Sequence, residues 1–201
     1  MLDQYADRSV SLTKFQREVA EYQLHSNDYL RRGWILVEAE FPRIVVMMAA
    51  TNLAPPAIIL AVAFDYTNYD AAPPSVKLVK PFTWEPYTTK ELPITLNRAL
   101  PPTQVQVPGI PPDQKVEMRA VQSYVQSYGA DDIPFLCIQG VREYHEHPAH
   151  SGDLWELHRA SGAGSFVRIL EIVYRYGIET ITNYGVQLTP QIRLNFGPPP
   201  E

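Results

Sequence analysis

The 201-residue chain has a single cysteine, no apolar run longer than about ten residues, and no run of basic residues longer than the pair Arg31 and Arg32. A lone cysteine, Cys137, closes no intramolecular disulfide, so folding does not depend on oxidation and the sulfur is open to use as nucleophile, ligand or filling. The longest apolar stretch, residues 55–64, is about half of what a membrane span needs. The opening MLDQYADRSV has neither the basic nor the apolar part of a secretory leader. With a formal charge of −5 and scattered cations, the chain also lacks the electrostatic footprint of a nucleic-acid binder. The expectation is a cytoplasmic protein with neither nucleic acid nor membrane as partner. Repeats and low-complexity tracts are missing too, and the length suits one well-buried core, so residues 1–201 are read as a single domain.

Proline is plentiful instead. There are 19, eight of them from Pro81 to Pro112, and each removes a backbone donor and holds its predecessor extended. Residues 80–133 therefore read as a proline-rich insertion, extended over 80–112, with a short helix over 113–128 suggested by Val116, Ala120, Val121 and Val125 and ended by Gly129. Before it, Leu12, Phe15, Val19 and Tyr22 fall at spacings of three and four, which predicts a helix over 11–30. After Gly33, the runs WILVEAEF, RIVVMMAAT, AIILAVAFDY and SVKLV predict a β-meander over 34–79. The unbroken apolarity of the third run predicts burial on both faces. A strand-like FLCIQGV opens a cysteine and histidine segment over 134–158, and Phe166, Ile169, Leu170 and Val173 share one face of a helix over 164–177 that Gly177 ends. Trp155 is expected to pack at the entrance to that helix, and the tail 197–201 to fray. The order describes an α+β fold, an antiparallel β-meander with helices packed on one side.

Four of the five histidines, His145, His147, His150 and His158, follow Cys137 closely. In extended chain Glu143, His145 and His147 would share a face, with His150 turning back after Pro148. Thiolate, imidazole and carboxylate suit tetrahedral zinc, so Cys137, Glu143, His145, His147 and His150 are candidate ligands. The same residues also serve nucleophilic chemistry, with Cys137 attacking and a histidine lowering its pKa. A buried strand cysteine beside surface histidines is the third reading. The Ser161 to Gly164 turn reads as a helix cap, and Asp131 with Asp132 as a solvated polar turn.

The stretch FDYTNYDAAPPSVKLV resembles the strand, Tyr/Pro-rich turn and following strand of the ubiquitin-conjugating enzyme fold. The later order PFLCIQG, Trp155 and amphipathic helix is similar to that fold's cysteine segment, tryptophan and second helix. CIQGVREYHEHPAHSGDLWELHR also resembles a bacterial family of predicted metal-binding proteins with a Cys-Glu-His-His signature, found beside ubiquitin-like modification genes. Together the likeness spans residues 30–177. It implies a carrier that takes a ubiquitin-like modifier from an activating enzyme and passes it to an amine. Cys137 would then be the thioester nucleophile, and His145 or His147 the group that tunes it or acts as base. In those enzymes a His-Pro-Asn motif precedes the cysteine; here His147 and Pro148 follow Cys137 and Ala149 is third, which implies a rearranged site. No cofactor is required on that reading. The alternative is a non-catalytic zinc adaptor of the same pathway, and if zinc held Cys137 a hydroxyl such as Ser151 or Ser161 would be the acceptor.

Overall fold

A computed structural model describes residues 4–111 and 114–185; the tail 197–201 lies outside the described residues. Branched side chains over residues 34–79 pair into a four-stranded antiparallel sheet in the order β1, β2, β3, β4. The strands are β1 Trp34–Glu40, β2 Arg43–Ala50, β3 Ala57–Asp65 and β4 Ser75–Val79. Val46 lies opposite Val62, and Val62 opposite Leu78, so an apolar row crosses three strands on one face. That face carries Ile44, Met48, Leu60 and Phe64 as well, all within the main core. Each such side chain contributes about 1.5–3 kcal/mol on full burial, so the sheet is held chiefly from this side. The second face of β3 is covered only in part, short of the burial its unbroken apolarity predicts: Ala61 is buried with Val45 and Val79 against Met47, Ala63 and Trp84, while Ala57, Ile59 and Ala63 stay half-buried and Ile58 is exposed.

The helices lie against the first face. The predicted N-terminal helix is two pieces, α1 Arg8–Leu24 and α2 Ser26–Arg31, broken at exposed His25. Asp7 caps α1 by accepting from the Ser9 amide at 2.8 Å. α1 buries Phe15 and Tyr22 together with Ser11 and Glu18. The Glu18 carboxylate accepts from the Phe166 amide at 2.9 Å and the Tyr69 hydroxyl at 3.3 Å, which explains a charged residue inside an apolar stripe. The C-terminal helix is shorter than expected: an α-helix from Phe166 to Val173, α5 below, whose Phe166, Ile169, Leu170 and Val173 are all buried, continues as a π-helical turn over Tyr174–Ile178. Gly177 lies inside that turn rather than ending a helix. A Cβ there would stand 2.6 Å from Ile94 Cδ1, so the glycine makes room for the neighbouring side chain.

The predicted helix over 113–128 is absent. Residues 97–126 instead form short strands, β5 Asn97–Ala99, β6 Thr103–Val105, β7 Val116–Met118, β8 Val121–Ser123 and β9 Val125–Gln126. β5 pairs β8 and β6 pairs β7, both antiparallel, giving a two-stranded arm whose paired residues are exposed. Val116, Val121 and Val125 are β-branched and alternate with polar residues, and a partner strand satisfies them better than an isolated helix turn. β9 then pairs with β10 Phe135–Leu136, and the Cys137 amide donates to Tyr124 O at 2.8 Å, so the root of the arm fixes the cysteine segment.

The segment after Cys137 is helical as well, contrary to its extended reading, with α3 Arg142–Glu146 and α4 Trp155–His158 preceding the Phe166–Val173 helix, α5. The loop over 66–74 seats both: the Arg142 amide donates to Pro74 O and Trp155 Nε1 to Asp70 O, each at 2.9 Å. Asp70 also pairs with Lys14 of α1 and with Arg159. Trp155 is buried at this junction, as its expected anchoring role requires. The whole is a mixed α and β fold with an antiparallel sheet and helices on one face. Among the described residues no helix is long and apolar enough to cross a membrane.

Candidate functional site

Cys137 stands half-buried where β10 turns into α3. The turn is made at Gly140, where a Cβ would fall 1.8 Å from the carbonyl oxygen of Ala163; only a bare Cα lets the cysteine segment press against the chain that leads into α5. His150 closes a short turn after Pro148, and its Nε2 lies 3.6 Å from Cys137 Sγ. Its ring stacks on Tyr144 with centroids 4.0 Å apart and planes at 21°. Packing against an aromatic ring thus holds the imidazole in place.

Behind the stack is a polar network. Tyr144 Oη donates to Asp153 Oδ2 at 2.6 Å, Gln139 Nε2 donates to the same oxygen at 3.3 Å, and His158 Nε2 contacts Asp153 Oδ1. Hydrogen bonds from Tyr144 and then His158 hold the Asp153 carboxyl down to about 2, so it is ionised throughout the neutral range. Burial, reinforced by Asp153, pushes the Tyr144 phenol up to about 12, which keeps it a donor. Burial likewise pushes the Cys137 thiol up. At neutral pH the sulfur therefore rests as thiol, and His150 is the proton acceptor within its reach.

The other residues expected at the site point elsewhere. Two positions apart on a helix are roughly 200° apart, so Glu143 and His145 on α3 diverge instead of sharing a face. Glu143 accepts from Ser75 Oγ and from the Val76 amide on β4. His145 sets Nδ1 2.7 Å from Asp153 O and Nε2 2.6 Å from Gln139 O, which leaves neither nitrogen open to a metal or a substrate proton. His147 stacks on Phe135 and Tyr128 at 5.0 and 5.3 Å, and its Nδ1 accepts from the Ala149 amide at 3.2 Å. Ser151 and Ser161 are exposed, the latter donating to His158 O at 2.7 Å. The five candidate ligands thus do not close one shell, and among the described residues no three His, Cys, Asp or Glu converge on a metal position. Cys137 is brought to His150, whose ring also lies 5.5 Å from that of His147. Tyr144, Gln139 and Asp153 were missed by the sequence reading, although an acidic residue between clustered histidines is a usable signal for a partner of one of them.

The chain belongs to the Y4jH family, whose Y4jH-like pattern matches residues 6–181. The chain is similar to the uncharacterized protein y4jH of Sinorhizobium fredii (strain NBRC 101917 / NGR234), with 39% identity over 179 residues that cover 87% of this chain and 85% of that one.

Proposed function

We propose that the protein is a cysteine-dependent acyl carrier of the ubiquitin-conjugating type, working in a bacterial ubiquitin-like modification pathway. The observation that carries the reading is the 3.6 Å contact between a half-buried thiol and Nε2 of His150. The four-stranded meander, followed by the cysteine segment, Trp155 and the C-terminal helix, supports it as the order that this class uses. Cys137 attacks the modifier's C-terminal carbonyl on the activating enzyme while His150 takes the thiol proton. The activating enzyme's sulfur leaves as thiol on protonation, and a thioester forms on Cys137. An amine of the target then attacks that thioester, loses its proton to His150, and releases Cys137 as thiol. His150 thus takes the base role that the resemblance gave to His145 or His147.

The test incubates purified protein with cognate modifier, activating enzyme and ATP. A reductant-sensitive adduct is expected with the native chain and lost in Cys137→Ala. No adduct while the activating enzyme itself is charged overturns the reading.

The same separation favours a second reading. Sulfur at about 2.3 Å and nitrogen at about 2.0–2.1 Å from a tetrahedral zinc lie roughly 3.6 Å apart, so Cys137 and His150 fit two corners of such a shell. Glu143, His145 and His147 do not fit the other corners as they stand. Stoichiometric zinc in dialysed protein, lost in both Cys137→Ser and His150→Ala, would favour the adaptor role over acyl carriage.

A further inference from the structure

Next to the cysteine site, and independent of its chemistry, a cavity of about 300 Å³ opens between the 66–74 loop and helices α3 and α4. Arg142 lines it and is only 6% exposed. A buried guanidinium is costly unless its donors and its charge are met. Of its five N–H groups, Nε donates to Pro73 O at 3.2 Å and Nη2 to Thr67 O at 2.5 Å. Both acceptors are neutral carbonyls. Nη1 is buried and has no partner among the described residues, none of which places a carboxylate within ion-pair distance of Arg142. The guanidinium bordering the cavity thus carries an unmet donor and an unpaired charge, which is what a carboxylate supplies. The other walls are largely apolar, with Trp155, Ala71, Ala72 and Pro73 beside Tyr5, Asn68 and His145. Glu146 stands at the cavity too, where partial desolvation, with Glu143 nearby, pushes its carboxyl up.

We propose that this cavity is a binding site for a small carboxylate with an apolar body, its carboxylate on Arg142 and its body against Trp155. Volume and lining match the small-molecule range, concave and largely apolar with a few polar groups.

The experiment titrates isotope-labelled full-length protein with sodium benzoate and, separately, with benzyl alcohol, following the Trp155 indole and Ala72 amide resonances. Saturable shifts with benzoate and at least tenfold weaker ones with benzyl alcohol are expected. Arg142 bonds two loop carbonyls and its replacement threatens folding, so Ala72→Leu, which fills the cavity and leaves Arg142 in place, is the second arm; it should abolish the benzoate shifts while the remaining spectrum is kept. Glu146→Gln should leave or tighten binding. Equal response to both probes, benzoate binding that survives Ala72→Leu, or no saturation at all, as when water alone satisfies Nη1, overturns the assignment.

Discussion

Nε2 of His150 sits 3.6 Å from Sγ of Cys137 across thirteen positions of sequence, while the nearer His145 is turned onto two backbone carbonyls. Proximity in sequence therefore does not choose the imidazole that meets the thiol; the turn at Pro148 and the stack on Tyr144 do.

The first prediction follows from that choice. His150→Ala should slow iodoacetamide alkylation of Cys137 at pH 7 by about tenfold or more, against the roughly 10²–10⁴ that a positioned base supplies. The gap should narrow as pH rises, because hydroxide then removes the proton that His150 otherwise takes. His147→Ala should slow the reaction less than His150→Ala does, since its ring packs on Phe135 and Tyr128 and meets the site only through the His150 ring, 5.5 Å away. A His147 effect larger than that of His150 would return the base role to the residue expected from sequence.

Glu18 supplies a pH signature. Burial raises its carboxyl above the ordinary value of 4.5, against the pull of the Phe166 amide. The folded state thus holds a proton that the unfolded state has released, so its stabilisation is complete below the unfolded value and is lost as pH rises through the higher folded value. Urea midpoints of the native chain should fall through that window, and those of Glu18→Gln should fall less, because the amide oxygen still accepts and no charge forms. Glu18→Ala leaves the Phe166 amide without its acceptor and should cost about 1–3 kcal/mol.

Asp70 has the opposite sign. Desolvation pushes its carboxyl up, but hydrogen bonds from Lys14 and Arg159 outweigh this and hold it below the ordinary value of 3.8. The contribution is present above that unfolded value and is lost as pH falls through the folded one. Asp70→Asn keeps the backbone carbonyl that accepts from Trp155 and gives up both cations, so it should lose about 1.5–3 kcal/mol in urea titrations at pH 7. An unchanged midpoint would mean that solvent holds those cations equally well.

The sheet was legible in the sequence because its cause is local: branched residues between turn signals pair wherever one face can be buried, and Val46, Val62 and Leu78 do so. α3 was not. Its five residues form a helix because the Arg142 amide and guanidinium are tied to carbonyls of the 66–74 loop, a tertiary cause that spacing does not carry. Reading that stretch as extended put Glu143 and His145 on one face, and the error passed directly into the expected ligand set. Cys137 and a histidine were anticipated as neighbours; which histidine depended on the Tyr144 stack. Glu18 and Arg142 carried no signal in the sequence, because only the fold reveals which carbonyl or amide will meet a buried charge. In the arm, valines at near-helical spacing concealed an alternation that pairing with residues 97–105 made decisive.

The arm gives the last prediction. All residues pairing β5 with β8 and β6 with β7 are exposed, so removing them uncovers no core, and a shorter connection lowers the entropy lost on closing the loop. Its root is another matter: Leu96 is fully buried, its carbonyl accepts from the Tyr124 amide at 2.8 Å, and Tyr124 O in turn accepts from the Cys137 amide. Replacing residues 99–121 by Asn-Gly, a favoured hairpin turn, should leave the Tm within about 4 °C, the equivalent of roughly 1 kcal/mol or less for a chain of this size. Cys137 alkylation at pH 7 should stay within about twofold, since the Cys137 and His150 geometry depends on the root and on Gly140. Leu96→Ala should do the reverse, costing about 2–5 kcal/mol and disturbing the alkylation rate. If the truncated chain instead melts far below the native one, the exposed ribbon supports the cysteine segment through more than its root, and the arm has to be counted as part of the site.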